Sequence, residues 1–323
     1  MIHRMLAGLL LALGLAAAAP AAADPGFPTR PIRLLVAYPS GGAVDTVSRA
    51  LAEEVSRTIG QPVVVENRPG AGGRIATELL ANSPADGYTL LATTGAPITV
   101  APALTSKLAY TMADLTPLVR VGEILNVMLV SSESGVKSVS EFVDWAKRQG
   151  RPIMYGSAGV GSADHLAGEL FRKLTGVPMT HVPYKGGAAA LQDLVGGQVD
   201  VGFSTFTVAR PFVAAGKLRQ IAVTSAERQA SLPELPAVAE AVPGFAITNW
   251  AGVFAPRALP ETLTIRLFEA FRGAAMQSSV SGKLVAAGVE PSPSASVDDF
   301  RAFVSKDARE WSEIVTLAEV PRE

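Results

Sequence analysis

The chain contains no cysteine. Disulfide frameworks, zinc ribbons, thiol catalysis and a lipid-modified N-terminal cysteine are excluded at once. An excess charge of one sign is missing as well: 28 basic side chains stand against 29 acidic ones, a formal net charge of -1. Binding nucleic acid by neutralising phosphates needs a basic excess, so no nucleic-acid partner is expected. Disorder is excluded by the composition, because 48% of residues are hydrophobic and only 18% are charged. At 323 residues the chain has material for one large or two ordinary domains.

Enzyme motifs are lacking too. Ser157 lies in YGSAG and Ser162 in GVGSADH, neither with the flanks of a nucleophile elbow. No Gly-Lys-Ser/Thr triplet exists for a phosphate loop, and Asp164 and Ile75 stand where a dinucleotide fingerprint needs its third glycine. His165 and His181 are not at helix-neighbour spacing, so neither a metal nor a cofactor is expected. His181, beside a strand, reads as structural. His165, in the first turn of a helix after a glycine loop, is the functional candidate of the two.

Long apolar runs are confined to the N-terminus. His3 and Arg4 precede the run Met5 to Ala19, which Pro20 breaks before Ala21-Ala22-Ala23. A membrane anchor needs ~20 apolar residues, and this run falls short. Its pattern is that of a secretory signal peptide, residues 1–23, on the general secretory route. The expected product begins at Asp24, is exported to the periplasm and has no membrane anchor.

What the sequence does contain is a repeated alternation. Pro31 to Tyr38 is β-rich and nearly all apolar, then Pro39-Ser40-Gly41-Gly42 leads to Val44, Val47, Leu51 and Val55 at helical spacing. PVVVE at Pro62 to Glu66, the loop Asn67 to Gly73 and a helix through Ile75 and Leu79 repeat the unit, and Tyr88 to Ala92 supplies a third strand. The alternation restarts at Val139 with helix, strand Ile153 to Tyr155, glycine loop Gly156 to Gly161 and helix Ser162 to Leu174. Strand His181 to Pro183, helix Ala188 to Val195 and strands Val199 to Phe203 and Leu218 to Thr224 follow. The extended runs Glu123 to Ser131 and Phe245 to Ala255 separate these blocks, and the remainder is mostly helical.

Two βα blocks joined by two extended runs predict an α/β, doubly wound, two-lobed architecture with two crossover strands. One lobe comprises residues 24–125 plus 248–323, and the other residues 126–247. Ligands of such folds sit between the lobes, at strand ends and helix N-termini, and hinge closure is the usual motion. AYPSGGAVDTVSRAL and YGSAGVGSADHLAGEL are locally alike, each an aromatic strand end, a Gly/Ser loop and an amphipathic helix. We read this as shared local chemistry, two amide clusters at positive helix ends between which a ligand carrying two anionic ends is expected to fit.

Loop glycines at 41, 42, 70, 72, 73, 159 and 161 either admit a ligand to the backbone or simply make tight turns. Asp45 and Asp164, in first helical turns, are expected to cap backbone groups, leaving the anion to neutral donors and water. Arg68, Arg74 and Lys185 read as exposed by default. Tyr38 and Trp250 either line the cleft or sit in the core.

These segments, with ENRPGAGG and HVPYKGG the most specific, make the chain resemble Bug-type extracytoplasmic solute receptors of the tripartite tricarboxylate transporter family. The resemblance runs through nearly all of the chain after the N-terminal segment. It implies a two-lobed periplasmic binding protein of the Venus-flytrap kind, monomeric and not an enzyme, that hands a small organic carboxylate to a membrane permease. It further implies one ligand carboxylate on Tyr38, Ser40, Gly41 and Gly42. Gly70, Ala71, Gly72, Thr93, Thr94, Ser157, Gly161, Ser162, His165, Tyr184, Lys185 and Ser204 complete the expected site. Ser40 replaces a frequent proline and adds a donor; Ser204 replaces a frequent aspartate, which favours a non-amino mono- or dicarboxylate. A ligand-sensing subunit for a membrane sensor kinase is the alternative, and an exported hydrolase a third reading that demands a nucleophile–base pair.

Overall fold

The computed structural model describes residues 26–320. The signal-peptide segment and its cleavage site lie outside the described residues. No helix among the described residues is long and apolar enough to cross a membrane.

Strand β1 (Ile32–Val36) leads into α1 (Ala43–Ile59), and β2 (Val63–Asn67) into α2 (Arg74–Ala81). After β3 (Thr89–Thr94) the chain winds through a π turn, Ala96–Val100, into the short α3 (Ala101–Leu104). Strands β4 (Leu115–Ile124) and β5 (Asn126–Ser131) follow, then α4 (Val139–Arg148), β6 (Ile153–Ser157), α5 (Ala163–Thr175), β7 (Met179–Pro183), α6 (Gly187–Val195) and β8 (Val201–Thr205). The chain closes with α7 (Phe206–Ala214), β9 (Leu218–Val223), β10 (Asn249–Pro256), α8 (Glu261–Ala275), α9 (Ser278–Ala286), β11 (Val289–Pro291) and α10 (Val297–Leu317).

The strands form two sheets, ordered β11-β4-β10-β3-β1-β2 and β7-β6-β8-β5-β9. In the first, β1 is parallel to both β2 and β3, and β10 adds antiparallel to β3. In the second, β6 is parallel to both β7 and β8, and β5 adds antiparallel to β8. The local likeness between the two glycine loops therefore extends to topology. Each loop follows a central strand whose neighbours lie on opposite sides, the switch point where open α/β sheets bind ligands.

Alternation on buried strands fills both faces of each sheet. On β1, Leu34 and Val36 face the core under α1 and α8, while Leu35 faces that under α2 and α10. On β5, Met128 and Val130 face one core of the second sheet, and Val127 and Leu129 the other. Such strands read as continuous apolar runs because both faces are covered.

The chain passes between sheets at Leu125, the single residue between β4 and β5, and returns between β9 and β10. These passages fall in or beside the two extended runs. The closing helix, assigned from sequence to the first lobe, spans both cores. Phe300 and Val304 pack with Trp250 and Phe254, whereas Trp311 and Val315 join the core of the second sheet. Asp307 pins the helix midway, accepting from Trp250 Nε1 at 2.9 Å and Thr99 Oγ1 at 2.6 Å.

Candidate functional site

A cavity of about 740 Å³ opens where the two glycine loops face each other. Tyr38, Pro39, Gly42, Ala43 and Val44 line it from the start of α1, and Ala158 to Asp164 from the start of α5. Ala71, Gly72 and Arg74 close it at the head of α2; Thr94, Ala96, Ala101, Leu104 and Thr105 follow β3 along another wall. Ile124, Gly187, Thr205, Val208 and Asn249 complete the lining near the passages between sheets. The wall is predominantly apolar.

The first-turn amides of an α-helix have no partner inside the helix. Gly42, at the head of α1, supplies no side-chain cap. Both glycine loops are built by their own carboxylates. Asp45 accepts from Gly41 N–H at 2.9 Å, from the Asn67 amide at 2.8 Å and from Arg49 Nε at 3.0 Å. Burial alone would raise its pKa, but Arg49, Gly41 N–H and Asn67 outweigh that and hold it below the usual carboxylate range. Asp164 accepts from Ala158 N–H at 3.3 Å and from the Asn126 amide at 3.4 Å. It has no cation, and burial pushes it up to about 7 against the weaker pull of Ala158 N–H. The capping expected of both residues is what the structure contains.

Tyr38 turns its hydroxyl 2.5 Å from Thr94 Oγ1, which also accepts from Ala96 N–H at 3.2 Å. This bond ties the end of β1 to the turn after β3. The Tyr38 phenol is raised in pKa by burial, so it meets a ligand as a neutral group.

Of the expected ligand contacts, Tyr38, Gly42, Ala71, Gly72, Thr94, Gly161 and Ser162 line the cavity. Ser40, Gly41, Gly70, Thr93, Ser157, His165, Tyr184, Lys185 and Ser204 are not among the lining residues. The physical reasons differ. Gly41 has its N–H engaged by Asp45. Thr93 is fully buried on β3. Ser204 is 1% exposed and sits behind Gly187, where an added Cβ would come within 3.0 Å of its hydroxyl. Tyr184 donates to Asp193 at 2.7 Å, and Lys185 is exposed.

Ser157 and His165 belong to a buried stack behind the second loop. The His165 ring lies 4.1 Å from that of His181, which stacks in turn on Tyr155 at 5.0 Å. His165 Nδ1 accepts from Gly161 N–H at 3.2 Å, and Ser157 Oγ lies 2.6 Å from His181 Nε2. Burial lowers His165, and burial reinforced by His165 pushes His181 down to about 4, so both rings are neutral. The Ser157–His181 distance is that of a nucleophile and its base, a pair no sequence motif had signalled. Yet Ser157 is completely buried and outside the cavity wall.

Sequence reasoning did not single out Asn249, Thr105, Thr205 or Val208, and read Arg74 as exposed. Thr205 follows Ser204 at the end of β8, so a one-residue shift along the strand replaces the expected contact with the observed wall residue. No group of three or more potential metal ligands occurs among the described residues.

Residues 47–319 match the tripartite tricarboxylate transporter family receptor. The chain is 33% identical over 301 residues to protein BugT of Bordetella pertussis, covering 92% of each. Among solved structures it is similar to R. palustris Rpa4515 with adipate, at 34% identity and a TM-score of 0.81, covering 92% of this chain and 100% of that one. It is likewise similar to MatC from Rhodopseudomonas palustris with bound malate, at 32% identity and a TM-score of 0.77, covering 90% and 100%. A family match across nearly all the described residues, on a two-lobed α/β fold with its cleft at matched switch points, makes this chain a member of the tripartite tricarboxylate transporter family of periplasmic receptors.

Proposed function

We propose that the protein is a periplasmic receptor that captures a small organic carboxylate between its lobes, residues 24–125 plus 248–323 and 126–247, and delivers it to a tripartite-type permease. The observation that carries this reading is the pairing of two helix N-termini, α1 and α5, at topologically matched points around one cavity. The uncapped amides at the head of α1, and those of α5 that remain after Ser162 Oγ caps His165 N–H at 3.2 Å, favour one carboxylate between them together with the helix dipoles, by roughly 0.3–1 kcal/mol per helix before desolvation strengthens the contact. Adipate and malate in the solved relatives support the same ligand class.

A non-amino acid suits this cleft. At the end of β8 the wall residue is the neutral Thr205, and Asp164 is held toward its neutral form, which complements an oxygen anion better than an ammonium. Binding proceeds without turnover in this reading, because the Ser157–His181 pair lies behind the loop and stabilises it.

Thermal-shift screening against mono-, di- and tricarboxylates, amino acids and nicotinate tests the proposal. A ligand at ~100 times its dissociation constant stabilises by about 2.7 kcal/mol, a readily measured shift. Stabilisation by a carboxylate is the expected result, and none by any carboxylate overturns the reading. Co-purification with a permease, as opposed to a sensor domain, supports delivery.

A further inference from the structure

The cavity wall contains one cation, Arg74, and the local backbone is shaped to hold it. Gly70, Ala71, Gly72 and Gly73 all have positive φ, with Ala71 at 47° where a side chain is unfavourable. That conformation aims the Ala71 carbonyl at Arg74, where it accepts both the backbone N–H and, at 3.0 Å, the side-chain Nε. Gly73 cannot easily carry a side chain, since an added Cβ would meet Pro97 at 3.1 Å and Ala37 at 3.3 Å. The turn is thus wedged between the ends of β1 and β3, and the guanidinium is tethered by one nitrogen.

Its two terminal nitrogens have no partner among the described residues. Glu78, one helical turn further on, makes no ion pair with it, although Arg30, Arg33, Arg49, Arg57 and Arg68 nearby in sequence all pair with a carboxylate. A planar fork held by Nε, left open at both Nη groups and set in a predominantly apolar wall, matches one carboxylate in two-pronged geometry.

We propose that Arg74 reads a second anionic group on the ligand, so that the receptor discriminates dicarboxylates from monocarboxylates. The inference rests on the carboxylate-receptor reading above and assigns the helix N-termini to one carboxylate and Arg74 to the other. The apolar wall between them accommodates a hydrocarbon spacer.

The test is calorimetric titration with straight-chain α,ω-dicarboxylates of four to eight carbons, each paired with its own monoamide. In the wild type at least one diacid binds about tenfold or more tighter than its monoamide, the range of a charge-assisted contact. R74Q brings that ratio close to one by weakening the diacid far more than its monoamide. R74K keeps the charge but loses the fork, giving an intermediate ratio, and its unfolding midpoint confirms that the fold survives. Equal affinity for diacid and monoamide in the wild type, or an unchanged ratio in R74Q, overturns the role of Arg74 alone. Absence of binding by every diacid and every monoamide overturns this proposal together with the receptor reading.

Discussion

Asp45 of α1 and Asp164 of α5 each turn a carboxylate back onto the glycine loop before its helix, yet only Asp45 has a cation beside it. Arg49 lies against Asp45, and the structure gives Asp164 two neutral donors alone. The two loops share topology and differ in charge.

That difference predicts a pH dependence. Asp164 is raised from 3.8 to about 7, so its protonated form is the one the fold prefers. The stability it contributes is complete below its unfolded value and is lost as pH rises through about 7. Deprotonation also places a negative charge in the wall of an anion site. Carboxylate affinity is therefore expected to fall between pH 6 and pH 8, and Asp164→Asn to flatten the profile. Titration calorimetry across that range checks both. An unaltered profile in Asp164→Asn would place the titrating group elsewhere, and tighter binding of an amino acid at high pH would show Asp164 pairing with an ammonium.

Asp45 titrates in the opposite direction. Its pKa lies below 3.8, so its contribution is present above that value and is lost as pH falls through the lowered one. Asp45→Ala leaves Gly41 N–H without its acceptor, while the Asn67 amide keeps the Tyr38 carbonyl at 3.0 Å. The loss of hydrogen bonds to a charged group costs about 1.5–3 kcal/mol, discounted here because Gly41 is exposed and Arg49 half exposed. Urea denaturation followed from pH 7 downward should show the full loss at neutral pH and a diminishing one as the pH falls below 3.8.

The second loop rests on α3. Gly161 has φ 77°, and an added Cβ would come 2.8 Å from Leu104 Cδ1. Gly161→Ala is expected to lower ligand affinity for two separable reasons, left-handed strain of about 1–2 kcal/mol and the clash. Adding Leu104→Ala relieves only the clash. A double-mutant cycle on ligand affinity should therefore show partial recovery, and simple additivity would contradict the contact.

Asp307 holds α10 where it crosses from one core to the other. Asp307→Ala strips Trp250 Nε1 of its acceptor in a fully buried site, at a cost of about 1–3 kcal/mol. Equilibrium unfolding followed by tryptophan fluorescence reads this directly, because Trp250 and Trp311 flank the change.

Much of this was legible in the sequence. Strands β1 and β5 read as nearly continuous apolar runs because both faces are buried, and glycine loops marked the switch points. Side-chain direction was not legible. Arg74 turns to the cavity only because four successive residues adopt positive φ, which no periodicity encodes. His165 and Ser157 looked functional from their loop, but ring stacking of His165 on His181 and a hydrogen bond between Ser157 and His181 draw them behind it. The closing helix has one apolar stripe, and nothing in its pattern says that Phe300 and Trp311 meet different cores.

The central claim is that an organic carboxylate is held at the paired N-termini of α1 and α5. Its most direct test is a calorimetric titration of the purified protein with the best carboxylate from the screen and with that compound's fully amidated analogue. The account predicts saturable one-to-one binding of the acid, its recovery unchanged after prolonged incubation, and no measurable binding of the amide. Equal affinity for acid and amide would contradict it.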